Sequence, residues 1–223
     1  SLIYNENVKR IAINNVSILT RVKTESKNDT QKVLIYDLDN NVWKKILEYD
    51  ESEFNDTSLN MSNFGHSLHL SKDGKNLVVG NPSKICYVSK LPKTRLPVLF
   101  LSCLDEFENT ESDESKLKIP WAFVLRENDD KTWNILGQPI KSEIPLTGFG
   151  FATTISGDGN SIAISNLTTD SDDNGTVSIY DFVNDSWTKR LNITNNSIYV
   201  APIYGTSIAT SDKFDILVVV DIN

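Results

Sequence analysis

Short β-prone runs separated by polar turns recur along the whole chain, and no segment sustains a helical period. Ser67-Leu68-His69-Leu70 and Asn76-Leu77-Val78-Val79 are two such runs, joined by Lys72-Asp73-Gly74-Lys75. Asp-Gly between runs of this kind predicts a hairpin, because glycine takes positive φ at little cost. The arrangement returns at Ser156-Gly157-Asp158-Gly159-Asn160. Val33–Tyr36 and Ile216–Val220 are apolar without alternation, the pattern of strands covered on both faces. The chain is therefore expected to be all-β, with little or no helix.

The runs are organised as repeats. Residues 64–82, FGHSLHLSKDGKNLVVGNP, are echoed by 149–167, FGFATTISGDGNSIAISNL, and by 204–222, YGTSIATSDKFDILVVVDI. Residues 1–15 align on 67–81 without a gap. A second hairpin follows each of the first three copies. Residues 32–47 align on 176–191, which brings Tyr36 onto Tyr180, Asp37 onto Asp181 and Trp43 onto Trp187; residues 122–137 put Trp133 in the same slot. One unit is thus four strands, and repetition at this scale predicts stacked supersecondary units. The whole of 1–223 reads as one domain or segment, with units starting near 1, 64, 149 and 204 and an insertion at 83–119 in the second. Trp43, Trp133 and Trp187 are expected at equivalent buried sites, packing unit on unit; Trp121 lies outside their register.

Phe64-Gly65, Ser67, Asp73-Gly74, Leu77-Val78-Val79 and Gly80-Asn81-Pro82 resemble the FG-GAP repeat, the blade of the β-propeller in integrin α-chain heads and many secreted proteins, with Asn81 in place of the family's alanine. The second copy keeps Phe149-Gly150, Asp158-Gly159 and Ile162-Ala163-Ile164, and has Ser165-Asn166-Leu167 where Gly-Ala-Pro is expected. The resemblance implies a β-propeller built from four-stranded antiparallel blades; it implies little about function, because propellers host many. Three units and half of a fourth amount to about 14 strands on this pattern. The chain is expected to be a portion of a longer polypeptide. A complete small propeller with diverged strands, or closure by strands of a neighbouring molecule, are the alternatives. Strands near Ile216–Val220 are then expected to pair outside this segment, since exposed sheet edges are usually paired or covered. FG-GAP blades often hold calcium within the first hairpin, but the turns at Lys72–Lys75 and Gly157–Asn160 are too short to wrap an ion.

Composition narrows the partners. The chain has 223 residues and a net charge of −8, with a pI near 4.8. Scattered Lys and Arg on an acidic chain argue against nucleic acid, which needs clustered cations. The longest apolar stretches, Trp121–Leu125 and Ile216–Val220, are far too short for membrane insertion. Cys86 and Cys103 are the only cysteines, and both fall in the insertion, so a disulfide is expected there; the alternative is two buried thiols in a cytosolic protein. Asn-X-Ser/Thr occurs at Asn15, Asn28, Asn55, Asn60, Asn166, Asn174, Asn184, Asn192 and Asn195. That is about twice the roughly four sites that chance would place in such a composition. Asn15 and Asn166 fall at one repeat position, just after the second strand, and are the preferred acceptors. An Asn-rich composition alone is the alternative to a secreted, N-glycosylated chain.

Little in the sequence points to catalysis. Asp170-Ser171-Asp172-Asp173-Asn174-Gly175 matches the start of a calcium loop, with Asp170, Asp172 and Asn174 as ligand candidates. Its twelfth position, Asp181, is explained by its alignment with Asp37, so the segment reads as a solvated acidic loop and no metal site is assigned. His66 and His69 are three apart, point to opposite faces of a strand and read as structural. The carboxylates of 105–114 read as a solvated tip. No catalytic residues and no cofactor are assigned. The expected function is that of an extracellular, glycosylated structural or adhesive β-propeller that binds protein or glycan surfaces or copies of itself, as in a filament or coat. The alternatives are a propeller hydrolase or lyase acting on glycans, which needs converging acids at the central channel, and an intracellular scaffold.

On secretory expression, Cys86 and Cys103 should resist alkylation without reductant, and the intact mass should fall on deglycosylation. Reactive thiols together with an unchanged mass would select the intracellular scaffold instead.

Overall fold

The computed structural model describes residues 2–6, 8–15, 31–54, 56–59, 63–82, 119–143, 147–167, 175–194 and 204–220. They form fifteen antiparallel strands and a single 3₁₀ turn, Glu51–Glu53. Unit 1 is a sheet of β1 (Leu2–Asn5), β2 (Arg10–Asn15), β3 (Lys32–Asp39) and β4 (Val42–Asp50), paired in chain order. Unit 2 holds β5 (Ser67–Leu70), β6 (Asn76–Asn81), β7 (Trp121–Glu127), β8 (Trp133–Ile135) and β9 (Ile140–Lys141). β8 and β9 both pair with β7, at its two ends, so together they make one interrupted fourth strand. Unit 3 is β10 (Gly148–Ile155), β11 (Ser161–Leu167), β12 (Thr176–Val183) and β13 (Ser186–Thr194). Unit 4 is the hairpin β14 (Ile208–Thr210) and β15 (Leu217–Val219).

The turns follow from side-chain chemistry. Ser71 Oγ donates to Asp73 Oδ1 at 2.6 Å, and the amides of Lys75 and Asn76 close onto Asp73 Oδ1 and Ser71 Oγ. Ser156 and Asp158 repeat that wiring in unit 3. In unit 4 Ser211 bonds Asp215, and Phe214 occupies the place of Gly74 and Gly159 at φ +58°, a backbone state unusual for a bulky residue. The third and fourth strands of units 1 and 3 meet in two-residue turns, Asn40-Asn41 and Asn184-Asp185, with all four residues at positive φ, as a type I′ hairpin requires. Both hairpins carry a bulge in one register, at Ile46 and Arg190.

The tryptophans are equivalent by pairing, Leu38 opposite Trp43, Glu127 opposite Trp133 and Phe182 opposite Trp187. The ungapped alignment of 122–137 is off by one strand residue. Arg10, Asn76 and Ser161 pair with Asp37, Arg126 and Asp181, so Trp121 is level with Lys32 and Thr176. The turn of unit 2 holds one extra residue, which restores the register at Trp133. Burial is not equivalent: Trp133 and Trp187 are buried, whereas Trp43 is 41% exposed.

The apolar cores lie between sheets, in what we term seams. The first, between units 1 and 2, joins Ala12, Val33 and Ile35 to Leu77, Val79, Trp121 and Phe123. The second joins Val78, Ala122 and Val124 to Phe149, Ile162, Ile164 and Tyr180. The third joins Ala163, Val177 and Ile179 to Ile208, Leu217 and Val219. The sheets fan out. First strands of successive units lie against one another, β1 on β5, β5 on β10 and β10 on β14. The turns at that end converge, so that Lys72 of unit 2 reaches across unit 3 to Asp212 of unit 4 at 2.6 Å. Ile216–Val220 departs from its expected two-sided cover: Leu217 and Val219 face the third seam, but Ile216, Val218 and Val220 are exposed, because no described strand lies beyond unit 4.

Phe123→Ala should destabilise the chain by about 3–5 kcal/mol, the cost of an aromatic-sized cavity, and Trp43→Ala by less than about 1 kcal/mol. Denaturant unfolding measures both; equal losses would contradict the seam assignment.

Candidate binding site at the seams between sheets

Each seam is closed by the Phe-Gly or Tyr-Gly pair that opens the next unit. Gly65, Gly150 and Gly205 all have positive φ, and each lies on the second and third strands of the preceding unit. A Cβ at Gly150 would stand 2.9 Å from Asn81 N and 3.0 Å from Trp121 O, so any side chain would push the sheets apart. The repeat's signature glycine is therefore a docking residue. Gly80 on the other side is as tight, with an added Cβ 2.1 Å from Gly150 O.

An arginine lies over an aromatic ring at every seam. Arg10 is 5.3 Å from the Trp133 ring, Arg126 5.7 Å from Phe182 and Arg190 5.8 Å from Phe214, within cation–π range. Arg10 is buried, and its Nε and Nη2 donate to Asp37 at 2.5 and 2.7 Å. Nη1 donates to Glu127 Oε2 at 2.9 Å and to Gly74 O at 2.8 Å. Burial opposes the charge, but the hydrogen bonds and charges of Asp37 and Glu127 outweigh it and raise the guanidinium pKa. Sequence reasoning missed this cluster. Its one signal was the arginine at a repeat position held by Asn76 and Ser161 elsewhere.

Unit 3 is keyed into unit 2 through Trp187. Its Nε1 donates to Leu136 O at 2.8 Å, its amide donates to Gln138 Oε1 at 3.2 Å, and its carbonyl accepts from Gln138 Nε2 at 3.1 Å. The interruption between β8 and β9 makes this socket. Gly137 lies beneath the rings at φ +71°, where a Cβ would come within 2.9 Å of Phe182.

The seams differ in filling. At the outer end of the first, Phe54 meets Trp121 at 4.3 Å and Phe123 at 5.0 Å between ring centroids. At the second seam the residues level with Trp121 and Phe123 are Thr176 and Ser178. A cleft of about 200 Å³ opens there, lined also by Asn166, Asn192, Tyr180 and Phe149. Ser178 Oγ donates to Asn192 Oδ1 at 2.8 Å. Asn166 Oδ1 is buried with no hydrogen-bond partner among the described residues. At the rim Lys189 pairs with Glu143 at 2.7 Å, and Lys141 pairs with Asp56 at 2.5 Å. The hydrogen bond to Glu143 raises the Lys189 pKa, and the reciprocal bond lowers that of Glu143.

The sequence-predicted sites fall unevenly. Asn166 is not in an exposed turn: β11 runs on to Leu167, and Asn166 pairs with Phe149 on one side and Thr176 on the other. Asn15 ends β2, opposite Lys32. Asn184 sits exposed at the tip of a tight turn, and Asn192 is an exposed strand residue. Asn28, Asn55, Asn60, Asn174, Asn195, Cys86, Cys103, Asp170 and Asp172 lie outside the described residues. Among the described residues no group of three or more His, Cys, Asp or Glu side chains converges as a metal site would, and no helix is long and apolar enough to cross a membrane. His69 Nδ1 accepts from Ile155 N across the second seam at 3.4 Å, and the His66 ring lies 4.8 Å from that of Phe151. Burial lowers both imidazole pKa values.

No protein-family profile and no curated protein sequence matches the chain. Among solved structures it is similar to TolB from Acinetobacter baumannii, at 12% identity and a TM-score of 0.45, over 100% of this chain and 38% of that one. It is also similar to a functionally unknown protein from Desulfotomaculum acetoxidans DSM 771, at 12% identity and a TM-score of 0.36, over 98% of this chain and 71% of that one. The chain thus spans well under half the length of TolB.

The histidines set a pH response. A folded imidazole pKa below the ordinary value, about 6.5, means that the unfolded chain takes up protons first, so stability is full above that pH and declines as pH falls through it. Unfolding free energy should begin to drop as pH falls below about 6.5, the ordinary imidazole value. His66→Gln combined with His69→Gln should flatten that step; an unchanged slope would remove the histidines from the account.

Proposed function

We propose that this chain is an arc of a β-propeller built from FG-GAP-type blades, and that it serves as an extracellular, N-glycosylated structural or adhesive scaffold rather than an enzyme. The fan of four-stranded sheets, with first strands gathered at one end and Lys72 meeting Asp212 across unit 3, supports the propeller reading. The glycine docking at Gly65, Gly150 and Gly205 accounts physically for the FG-GAP signature. The sequons support the extracellular placement, with Asn184 the best-presented acceptor among the described residues.

One observation bears on assembly: among the described residues, the outer faces of units 1 and 4 expose residues whose equivalents are buried in seams. Trp43 is exposed and meets Tyr4 edge-on at 6.2 Å, whereas Trp133 and Trp187 are buried against a preceding unit. Ile11 and Ile13 are half-buried, whereas their equivalents Leu77, Val79, Ile162 and Ile164 are inaccessible. At the other end Val218 is 56% exposed, while its equivalents Ala12, Val78 and Ala163 are fully buried. The faces are the front and back halves of one seam, so each suits a further unit, from the same polypeptide or from a neighbouring copy. A contact between unlike faces repeats, giving rings if it closes and filaments if it does not.

The 223-residue chain should therefore self-associate with rising concentration in light scattering, and Trp43→Asp with Val218→Lys should return it to monomer without unfolding it. A wild-type chain that stays monomeric throughout would reject assembly through these faces.

A further inference from the structure

We propose that the cleft at the second seam is a binding site for a neutral saccharide, one pyranose ring in size. The inference stands apart from the assembly reading, because the cleft lies between units 2 and 3 and uses neither end face. Its first support is the contrast between seams. At the same register the first seam is plugged by Trp121 and Phe123 with Phe54 against them, and every ring there is close-packed. Unit 3 presents Thr176 and Ser178 at those two positions, and the space stays open to about 200 Å³. That is below the roughly 300 Å³ at which drug-sized pockets begin, and suits a single small ring.

The chemistry of the lining selects the ligand. That lining includes the hydroxyls and carboxamides of Thr176, Ser178, Asn166 and Asn192. Such groups both donate and accept, as the hydroxyls of a sugar do. The Ser178–Asn192 hydrogen bond pre-orients two of them. Among the described residues Asn166 Oδ1 is a buried acceptor without a partner, and an unsatisfied acceptor of this kind invites a ligand or water donor. Tyr180 and Phe149, 5% and 3% exposed, close the apolar wall of the cleft. The cations at the rim are already neutralised, Lys189 by Glu143 and Lys141 by Asp56. No charge is left over to reward an anionic sugar, which would meet Glu143 as well.

The test uses the full chain made without glycosylation, so that Asn166 and Asn192 are bare. Saturation-transfer NMR and calorimetry would compare glucose, galactose, mannose and N-acetylglucosamine with glucuronic acid and glucosamine. At least one neutral pyranose should bind with a Kd of about 1 mM, a magnitude fitting so few ligand atoms, and the charged sugars should bind more weakly. Ser178→Phe, which installs the side chain found at that register in unit 2, should abolish binding while leaving the unfolding midpoint unchanged or higher. Ser178→Ala should weaken binding about fivefold, the weight of one neutral hydrogen bond, and gives an independent reading if the larger side chain disturbs the seam. Absence of any neutral-sugar contact, tighter binding of a charged sugar, or binding untouched by both substitutions would each overturn the proposal.

Discussion

The burial of Val33, Ile35 and Ala12 in unit 1 requires Leu77, Val79 and Phe123 of unit 2 to lie over them, and the same dependence recurs at each seam. A four-stranded sheet with two apolar faces cannot shelter either of them by itself. Everything else in the structure serves that stacking. Glycines at positive φ let backbone approach backbone, arginines cap the seam rims over aromatic rings, and the broken fourth strand of unit 2 receives Trp187. Buried polar groups that span a seam are paired in the same manner: Ser67 Oγ donates to Gly150 O at 2.9 Å, and Asn5 Nδ2 donates to Ser71 O at 2.7 Å.

Within that shared plan the seams are chemically distinct. The first is an aromatic core of Tyr49, Phe54, Phe64, Trp121 and Phe123. The second is aliphatic at its centre and polar at its outer end. The third is thin, with Leu217 and Val219 only partly buried. A repeat fold permits this, because the backbone register is held by turns and docking glycines while the residues between them vary. The polar cleft follows from two side chains, Thr176 and Ser178, set where unit 2 has Trp121 and Phe123.

The hairpins were the legible part of the sequence. Asp73-Gly74 and Asp158-Gly159 mark turns whose wiring is local, and local chemistry is what a sequence displays. The tryptophan slots were also visible, because they recur at fixed spacing. The extra residue in the turn at Asn128–Thr132 was not, since an ungapped alignment through Trp133 hides a shift in β7. The Arg10 cluster joins segments 27 and 117 residues away, and no local pattern announces such a partner. Asn166 was misplaced because the second strand runs through that repeat position in all three units, where Asn15, Asn81 and Asn166 each pair with the third strand. The worn turn of unit 4 survives with Phe214 in a glycine's conformation, so its geometry outlasted its signature.

The bridge from Lys72 to Asp212 skips a unit, and that bears on how the molecule comes apart. A stack coupled only through adjacent sheets behaves as a one-dimensional chain of linked elements, which can open from an end without losing the rest. Contacts between second neighbours are what convert such fraying into all-or-none melting. This one joins two exposed side chains, and a surface ion pair contributes at most about 1 kcal/mol. The tie is therefore too weak by itself to make the four units melt as one, and the coupling between them is left to the seams.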